Sequence, residues 1–259
     1  MVSTSGKDQP SDNESCYVEM EEEAEYQRQL KLFSECSQEK SIELVLIGEV
    51  ISGLRSSERF LDIGAGTGNL TVSVSQFFAE TTIVEPNERQ AGFFRRRYPQ
   101  FRVDDCRWEE VDLGSDQFDF ILCSHVLYYI PTHDWLKTID KMYSHLAADG
   151  TIAIVLQSPV GEVAEFFRKF SKYDVPVIEL WRNLTMTYGY QSVQVRYFVN
   201  EIFAETMEDM VDLGQFLLLD RKYRGRKDDI GKYFEERHKV DGGYRITQDE
   251  ILLTIKRER

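Results

Sequence analysis

The apolar positions switch repeatedly between two periods along the middle of the chain. RFLDIGAGTG is a short apolar run ending in glycines, which predicts a buried strand feeding a tight turn. In NLTVSVSQFF, Leu70, Val72 and Val74 alternate with polar residues, a strand period. A strand followed by a glycine loop normally enters a helix, however, and a helix is the reading adopted. TTIVEP reads as a second strand, and NERQAGFFRRRYP as a helix that Pro99 terminates. FRVDD is a third strand. FDFILCSH is a fourth, with the near-continuous apolar character of a central parallel strand. In HDWLKTIDKMYSHLAADG, Trp135, Ile139, Met142 and Leu146 share one helical face, and Gly150 follows as a stop. TIAIVLQSP is a fifth strand. Residues 55–158 therefore alternate strand and helix, the pattern of an open, doubly wound, mostly parallel α/β sheet.

The flanks are less regular. Residues 1–20 are polar and expected to be disordered, and residues 21–54 read as an N-terminal helical segment. The remainder, 55–259, is expected to be one domain. Beyond the fifth strand, VGEVAEFFRKFSKY reads as a helix and SVQVRYFV as a strand. AETMEDMVDLGQFLLLD and DDIGKYFEERHKV read as helices, and EILLTIKRE as a last strand. This predicts a C-terminal strand pair interrupted by a helical insertion at about 200–240, long enough to form a lid.

Charge narrows the choice of partners. The 259 residues carry 45 acidic and 31 basic side chains, a formal net charge of −14. A surface of that sign repels phosphate backbones, so no nucleic acid is expected as the main substrate. The basic clusters Arg95–Arg97 and 221–227 are read as solvated helix ends or loops. The four cysteines, Cys16, Cys36, Cys106 and Cys123, form no CxxC pair and fit no zinc module, so reduced thiols and no metal are expected. No stretch approaches the ~20 apolar residues of a membrane span, and no secretory signal is visible. The default expectation is a cytoplasmic protein, a monomer, acting on a small molecule.

The chemistry centres on Asp62-Ile63-Gly64-Ala65-Gly66-Thr67-Gly68. Gly64 lets the strand turn, and Gly66 and Gly68 let backbone approach a ligand. Dinucleotide enzymes also carry a glycine loop, but this one lacks the third glycine of the GxGxxG register. Asp62 suits an ammonium or an ordered loop better than it suits a pyrophosphate. Glu85, ~20 residues on at the end of the second strand, can accept both hydroxyls of a ribose, in a nicotinamide enzyme as much as elsewhere. After the third strand, Asp104, Asp105 and Cys106 can meet an adenine. A side chain at Gly64 or Gly66 is expected to block the ligand and spare the fold.

The ordered set FLDIGAGTGNLT, IVEPNERQ, VDDC, FDFILCSHVLYYI and LAADGTIAIV resembles the successive motifs of class I S-adenosylmethionine-dependent methyltransferases. The resemblance covers residues 55–158 and implies a seven-stranded sheet of order 3-2-1-4-5-7-6 with strand seven antiparallel. It implies S-adenosyl-L-methionine as cofactor, held by Asp62, Gly64, Gly66, Gly68, Glu85, Asp105, Cys106 and Ser124. VEPNERQ, VLYYI and the upstream FSECSQE are similar, more narrowly, to histamine N-methyltransferase. That likeness adds Gln90 as a cofactor contact. It implies substrate contacts at Glu39, six residues past Phe33, and at Asp249, with His125, Tyr128 and Tyr129 beside the chemistry. GAGTGN replaces the family's GGGAGE, and His125 stands where it has a glutamine.

Methyl transfer from a sulfonium is an in-line displacement, so alignment in a dry pocket is the main requirement. A neutral amine or imidazole nitrogen needs little more, whereas a hydroxyl needs a base. Tyr128 and Tyr129 can wall a cationic substrate or merely fill the core. His125 can be a base, a hydrogen-bond partner or a half-buried bystander; His133, His145 and His238 are assigned no role. Glu39, beside Lys40 in a glutamate-rich region, can equally be a wet surface charge. The expected activity is N-methylation of a small cationic or heteroaromatic amine. Protein or peptide methylation, or a Rossmann nicotinamide oxidoreductase, are the alternatives.

Overall fold

The computed structural model describes residues 20–171, 174–218 and 226–257, with side chains from residue 24 onward. Residues 1–19, read as disordered from the sequence, lie outside the described residues, as do Cys16 and most of the basic cluster 221–227.

Two helices, α1 (Met20–Cys36) and α2 (Glu39–Ser52), precede β1 (Arg59–Ile63) and α3 (Asn69–Ser75). Then come β2 (Glu80–Val84), α4 (Glu88–Arg97), β3 (Arg102–Asp104) and β4 (Phe118–Ser124). A 3₁₀ turn at Leu127–Tyr129 leads to α5 (Trp135–Ser144) and β5 (Leu146–Gln157). The C-terminal part adds α6 (Glu162–Phe170), α7 (Val177–Tyr188), β6 (Val193–Ala204) and α8 (Met207–Leu217). It ends with α9 (Lys227–Arg237), the two-residue β7 (Lys239–Val240) and β8 (Gly243–Lys256).

The sheet runs β3-β2-β1-β4-β5-β8-β6, with β7 paired to β8 off this path. The first five strands of that order are parallel, and β8 is antiparallel to both β5 and β6. This is the class I methyltransferase order expected from the sequence, with β8 in the place of strand seven. Apolar side chains cover both faces, as a parallel sheet requires. One cluster packs Trp135, Ile139 and Met142 of α5 and Leu180 and Leu184 of α7 against β4, β5 and β8. The other packs Ile47 and Ile51 of α2 and Leu70 and Val74 of α3 against Phe60, Phe120 and Val155. A third cluster joins α1, α6, α8 and α9 over the far ends of β6 and β8.

Four local readings change. The helix before β5 stops at Ser144, because Leu146 pairs with Phe118 and already belongs to β5. Helix α7 has no counterpart in the sequence reading; Ile178 and Met186 are exposed among its buried Val177, Leu180 and Leu184, which blurs the apolar period. Strand β6 continues past Val199 to Ala204. Strand β8 begins at Gly243 rather than at Glu250. The extra residues of β8 include Gln248, which is polar because it faces the site, so the strand period is hidden there.

The site is assembled where α1 and α2 strap the edge of β6. The chain breaks between these helices at Ser37, which bridges Ile202. Asn200, fully buried, accepts from the Gln38 backbone N–H (3.0 Å) and donates to Ser37 Oγ (2.8 Å). That anchor sets α2 so that Glu39 and Glu43, one turn apart, point inward under the carboxyl end of β4.

Candidate active site

A cavity of 670 Å³ lies at the carboxyl ends of β1, β2 and β4, the expected ligand position in an open α/β sheet. Its walls include the glycine loop, Glu85, Gln90, Cys106, Ser124, His125, Tyr128 and Tyr129. Phe33 of α1, Phe167 of α6 and Phe216 of α8 close it from the helical side.

The three glycines of the loop have different tasks. All have positive φ: +73° at Gly64, +53° at Gly66 and +84° at Gly68. A Cβ on Gly64 would stand 2.4 Å from Val126 Cγ2, and one on Gly68 would stand 2.7 Å from the Phe94 ring. Gly66 alone of the three opens onto empty space, with nothing within 4 Å of a Cβ. Gly68 is not part of the cavity wall; it starts α3 and admits Phe94. The structure thus gives Gly68, expected as a cofactor contact, a packing task beside Phe94. A side chain at Gly64, expected to spare the fold, would collide with Val126.

The carboxylates around the loop order it. Glu85 Oε2 accepts the Gly66 N–H and Oε1 the Asn87 N–H, each at 2.8 Å. Asn87 in turn caps α4 by accepting from the N–H groups of Arg89 and Gln90 (3.0 and 3.1 Å). Asp62 accepts from Thr71 Oγ1 at 2.6 Å. Burial pushes its carboxyl up to about 7, and the neighbouring Glu85 charge adds to that despite the Thr71 bond. Gln90 Nε2 donates to Gln27 Oε1 (3.3 Å), which brings α1 to the rim. Asp105 reaches the cavity wall, but its carboxylate is exposed and paired with Arg95 at 2.8 Å, which holds it at about 2. Asp104 lies beside Arg102 Nε (3.0 Å) instead.

Past β4 the chain turns sharply at His125, a non-glycine residue with φ +57°. Its Nδ1 is 3.4 Å from the Tyr128 hydroxyl, which accepts from the Gln157 backbone N–H. Its Nε2 faces three carboxylates: Glu250 Oε1 at 3.0 Å, Glu43 Oε1 at 3.4 Å and Glu39 Oε2 at 3.6 Å. Lys40 Nζ is 2.8 Å from both Glu39 and Glu43, and Ser124 Oγ donates to Glu43 at 2.7 Å. Gln248 Nε2 donates to Glu39 (3.2 Å) and Glu250 (3.1 Å), and its own oxygen accepts from Asn200 (3.0 Å). Burial alone would lower the imidazole, and Lys40 pulls the same way. The Glu39 charge and the Glu250 and Glu43 contacts overcome both and raise it to about 10. The raised imidazole faces these carboxylates, and its Nε2 lies near all three without a well-directed bond to any.

Sequence comparison agrees with this geometry. A family profile described as "Methyltransferase domain" matches residues 25–209. The chain belongs to the methyltransferase-domain family. An uncharacterized methyltransferase of Staphylococcus carnosus (strain TM300) is 25% identical over 170 residues, 64% of this chain and 75% of that one. The ribosomal RNA small subunit methyltransferase A of Chlorobium limicola is 35% identical over 65 residues, and the match spans only 25% of either chain. Among solved structures, a candidate methyltransferase of Bacillus halodurans C-125 aligns with a TM-score of 0.60 at 14% identity, covering 83% of this chain and 99% of that one. The plantazolicin methyltransferase BpumL in complex with S-adenosylhomocysteine aligns at 0.54 with 11% identity, covering 92% and 90%. At these identities the structures establish the shared fold.

The cofactor of this methyltransferase domain is S-adenosyl-L-methionine, and the residues present fit it. The open cradle at Gly66 gives its backbone room, and Asp62 and Glu85 border the same space with carboxylates suited to an ammonium and a ribose. We expect Glu85→Ala to weaken S-adenosylhomocysteine binding by about 1.5–3 kcal/mol, the worth of hydrogen bonds to a charged group. Calorimetry is the check, and unchanged affinity would move the ribose elsewhere. Part of that loss will come from the loop, since Gly66 and Asn87 lose their acceptor.

Of the substrate residues, Glu39, His125, Tyr128 and Tyr129 meet in the cavity and Asp249 does not. The Asp249 carboxylate stands against Gly161, where a Cβ would be 1.9 Å from it. Alternation along β8 puts Gln248 and Glu250 on the site face instead, one residue to either side. Lys40, Glu43, Gln248 and Glu250 were not singled out in the sequence. Glu43 had a usable signal, standing four residues after Glu39 on one helix; the others had none.

Proposed function

We propose that the protein transfers a methyl group from S-adenosylmethionine to a nitrogen of a small cationic or heteroaromatic amine. The observation that carries this reading is the burial of Glu39, Glu43 and Glu250 beside the cavity, at the carboxyl end of β4. Glu39 is only 4% exposed, which removes the reading of it as a wet surface charge. Glu39, which lines the cavity, offers an ammonium a carboxylate acceptor, while burial and the Glu39 charge push the Glu250 carboxyl up to about 8. The rings of Tyr128 and Tyr129 line the same cavity. A neutral nitrogen of the acceptor, distinct from the seated ammonium, attacks the methyl carbon with its lone pair as the C–S bond breaks and S-adenosylhomocysteine leaves; the methylated nitrogen then sheds any N–H proton to solvent. The net charge of −14 argues against a nucleic acid acceptor, and among the described residues no helix is long and apolar enough to cross a membrane.

The test is S-adenosylhomocysteine release with a panel of alkylamines, imidazoles and their neutral isosteres. Turnover confined to the amines and imidazoles is expected; turnover of the neutral members instead would sink the reading. S-adenosylhomocysteine is also expected to raise the melting temperature by several degrees at saturation, and NAD to leave it unchanged.

A further inference from the structure

We propose that Glu39, Glu43, His125 and Glu250 form a binding site for a divalent transition metal, which competes with the substrate cation for the same seat. The competition rests on the amine reading; the metal binding does not.

The geometry is that of a ligand shell. One atom from each of the four side chains lies within 4.8 Å of all the others. The edges from His125 Nε2 to the three carboxylate oxygens are 3.0, 3.4 and 3.6 Å. A tetrahedral shell with bonds of about 2.1 Å has edges of about 3.4 Å, and an octahedral one about 3.0 Å. Single pairwise hydrogen bonds do not demand that three oxygens from two elements converge on one nitrogen. Here α2 supplies two carboxylates one turn apart, the β4 turn supplies the imidazole and β8 the third carboxylate.

The shell also contains unmet bonding capacity. Glu250 is fully buried, and its Oε2 has no hydrogen-bond partner; His125 Nε2 has carboxylates near it but no well-directed bond to any. A buried carboxylate oxygen left in this way is costly, and a cation is the partner that would satisfy it. Three carboxyl groups and one imidazole converge here, and a dication gives each of them a bonding partner while Lys40 remains nearby. Lys40 is the group that must give way, and its side chain is 38% exposed, with the open cavity beside it. The second shell is in place: Gln248 donates to both Glu39 and Glu250, Ser124 donates to Glu43, and the Tyr128 hydroxyl approaches His125 Nδ1. One imidazole and three carboxylates suit Zn²⁺, Co²⁺, Mn²⁺ or Fe²⁺ rather than a thiolate-loving ion. In the sequence only the Glu39–Glu43 pair, four residues apart on one helix, hinted at this site; His125 and Glu250 join it through the tertiary fold.

Co²⁺ is the probe, added to the full-length protein without substrate or cofactor. We expect saturable one-to-one binding by calorimetry, with visible d–d bands of a nitrogen–oxygen shell and no strong thiolate charge-transfer band. Glu250→Gln and His125→Asn should each weaken binding by about 100-fold or more, and Lys40→Met should strengthen it about tenfold, as the competing ammonium is gone. Melting curves of the metal-free variants identify any that fail to fold; Lys40→Met and the wild type carry the test if one does. No saturable binding up to about 1 mM would overturn the site. So would binding that survives both ligand substitutions, or a thiolate band indicating Cys106. With an amine that is turned over, Zn²⁺ should inhibit competitively. Metal binding without any amine turnover would retain the site and reject the amine reading; turnover without metal binding would do the reverse.

Discussion

Gly66→Arg is expected to leave a folded protein that no longer binds S-adenosylhomocysteine measurably. The expectation comes from the contrast among the three glycines. At Gly66 a Cβ meets nothing within 4 Å, so the side chain enters the cavity and not the core. The fold pays only the strain of a non-glycine residue at φ +53°, about 1–2 kcal/mol. The backbone N–H of residue 66 can still donate to Glu85, so the loop keeps its main tie. The arginine then fills the space that the ligand needs. Gly64→Ala should behave differently: with Val126 Cγ2 at 2.4 Å from the new methyl and φ at +73°, it should lower the melting temperature as well as the affinity. Circular dichroism and calorimetry on both variants separate the two effects. Ligand affinity in folded Gly66→Arg equal to that of wild type would refute the placement of the cofactor.

Glu39→Gln is expected to raise KM for a cationic acceptor by about 10- to 100-fold, with cofactor affinity nearly unchanged. The change removes one charge from a buried anionic set and keeps the shape. A charge-assisted hydrogen bond is worth about 1.5–3 kcal/mol, which sets the range. The cofactor loop does not touch Glu39; its hydrogen-bond and ion-pair partners are Lys40, His125 and Gln248. Lys40 keeps Glu43, so the local fold retains one of its two ion pairs. Steady-state kinetics with an amine found by the panel, alongside S-adenosylhomocysteine calorimetry, provide the readout. Kinetics like wild type would remove Glu39 as the anchor.

The strand–helix alternation over 55–158 was legible because each element there has one dominant task. FDFILCS is buried on both faces and therefore mostly apolar, and the glycine loop includes Gly66, which no packing contact requires. The ambiguous NLTVSVS is helical, since Leu70 and Val74 are one helical turn apart and share the buried face of α3. Legibility fails where a strand also builds the site. In β8, Gln248 and Glu250 face the polar cluster while Asp249 points elsewhere, so neither alternation nor apolar content marks the strand. A shift of one position then exchanged Asp249 for its neighbours, because side chains on a strand alternate faces.

The sequence by itself determined the sheet class, the glycine loop and Glu85 beside it, since these lie within one strand–loop–helix unit and its neighbour, where local spacing fixes geometry. It also placed His125 and the two tyrosines after the fourth strand. Only the tertiary structure decided what surrounds His125. Glu39 and Gln248 are 209 residues apart along the chain and meet through a hydrogen bond of 3.2 Å. That meeting depends on Asn200 tying the α1–α2 break to β6, and on the register that sets Asn200 opposite Gln248. Burial then turns Glu39 from one glutamate among many into part of a polar site beside Lys40, because a carboxylate removed from water must be paired with a cation or give up its charge.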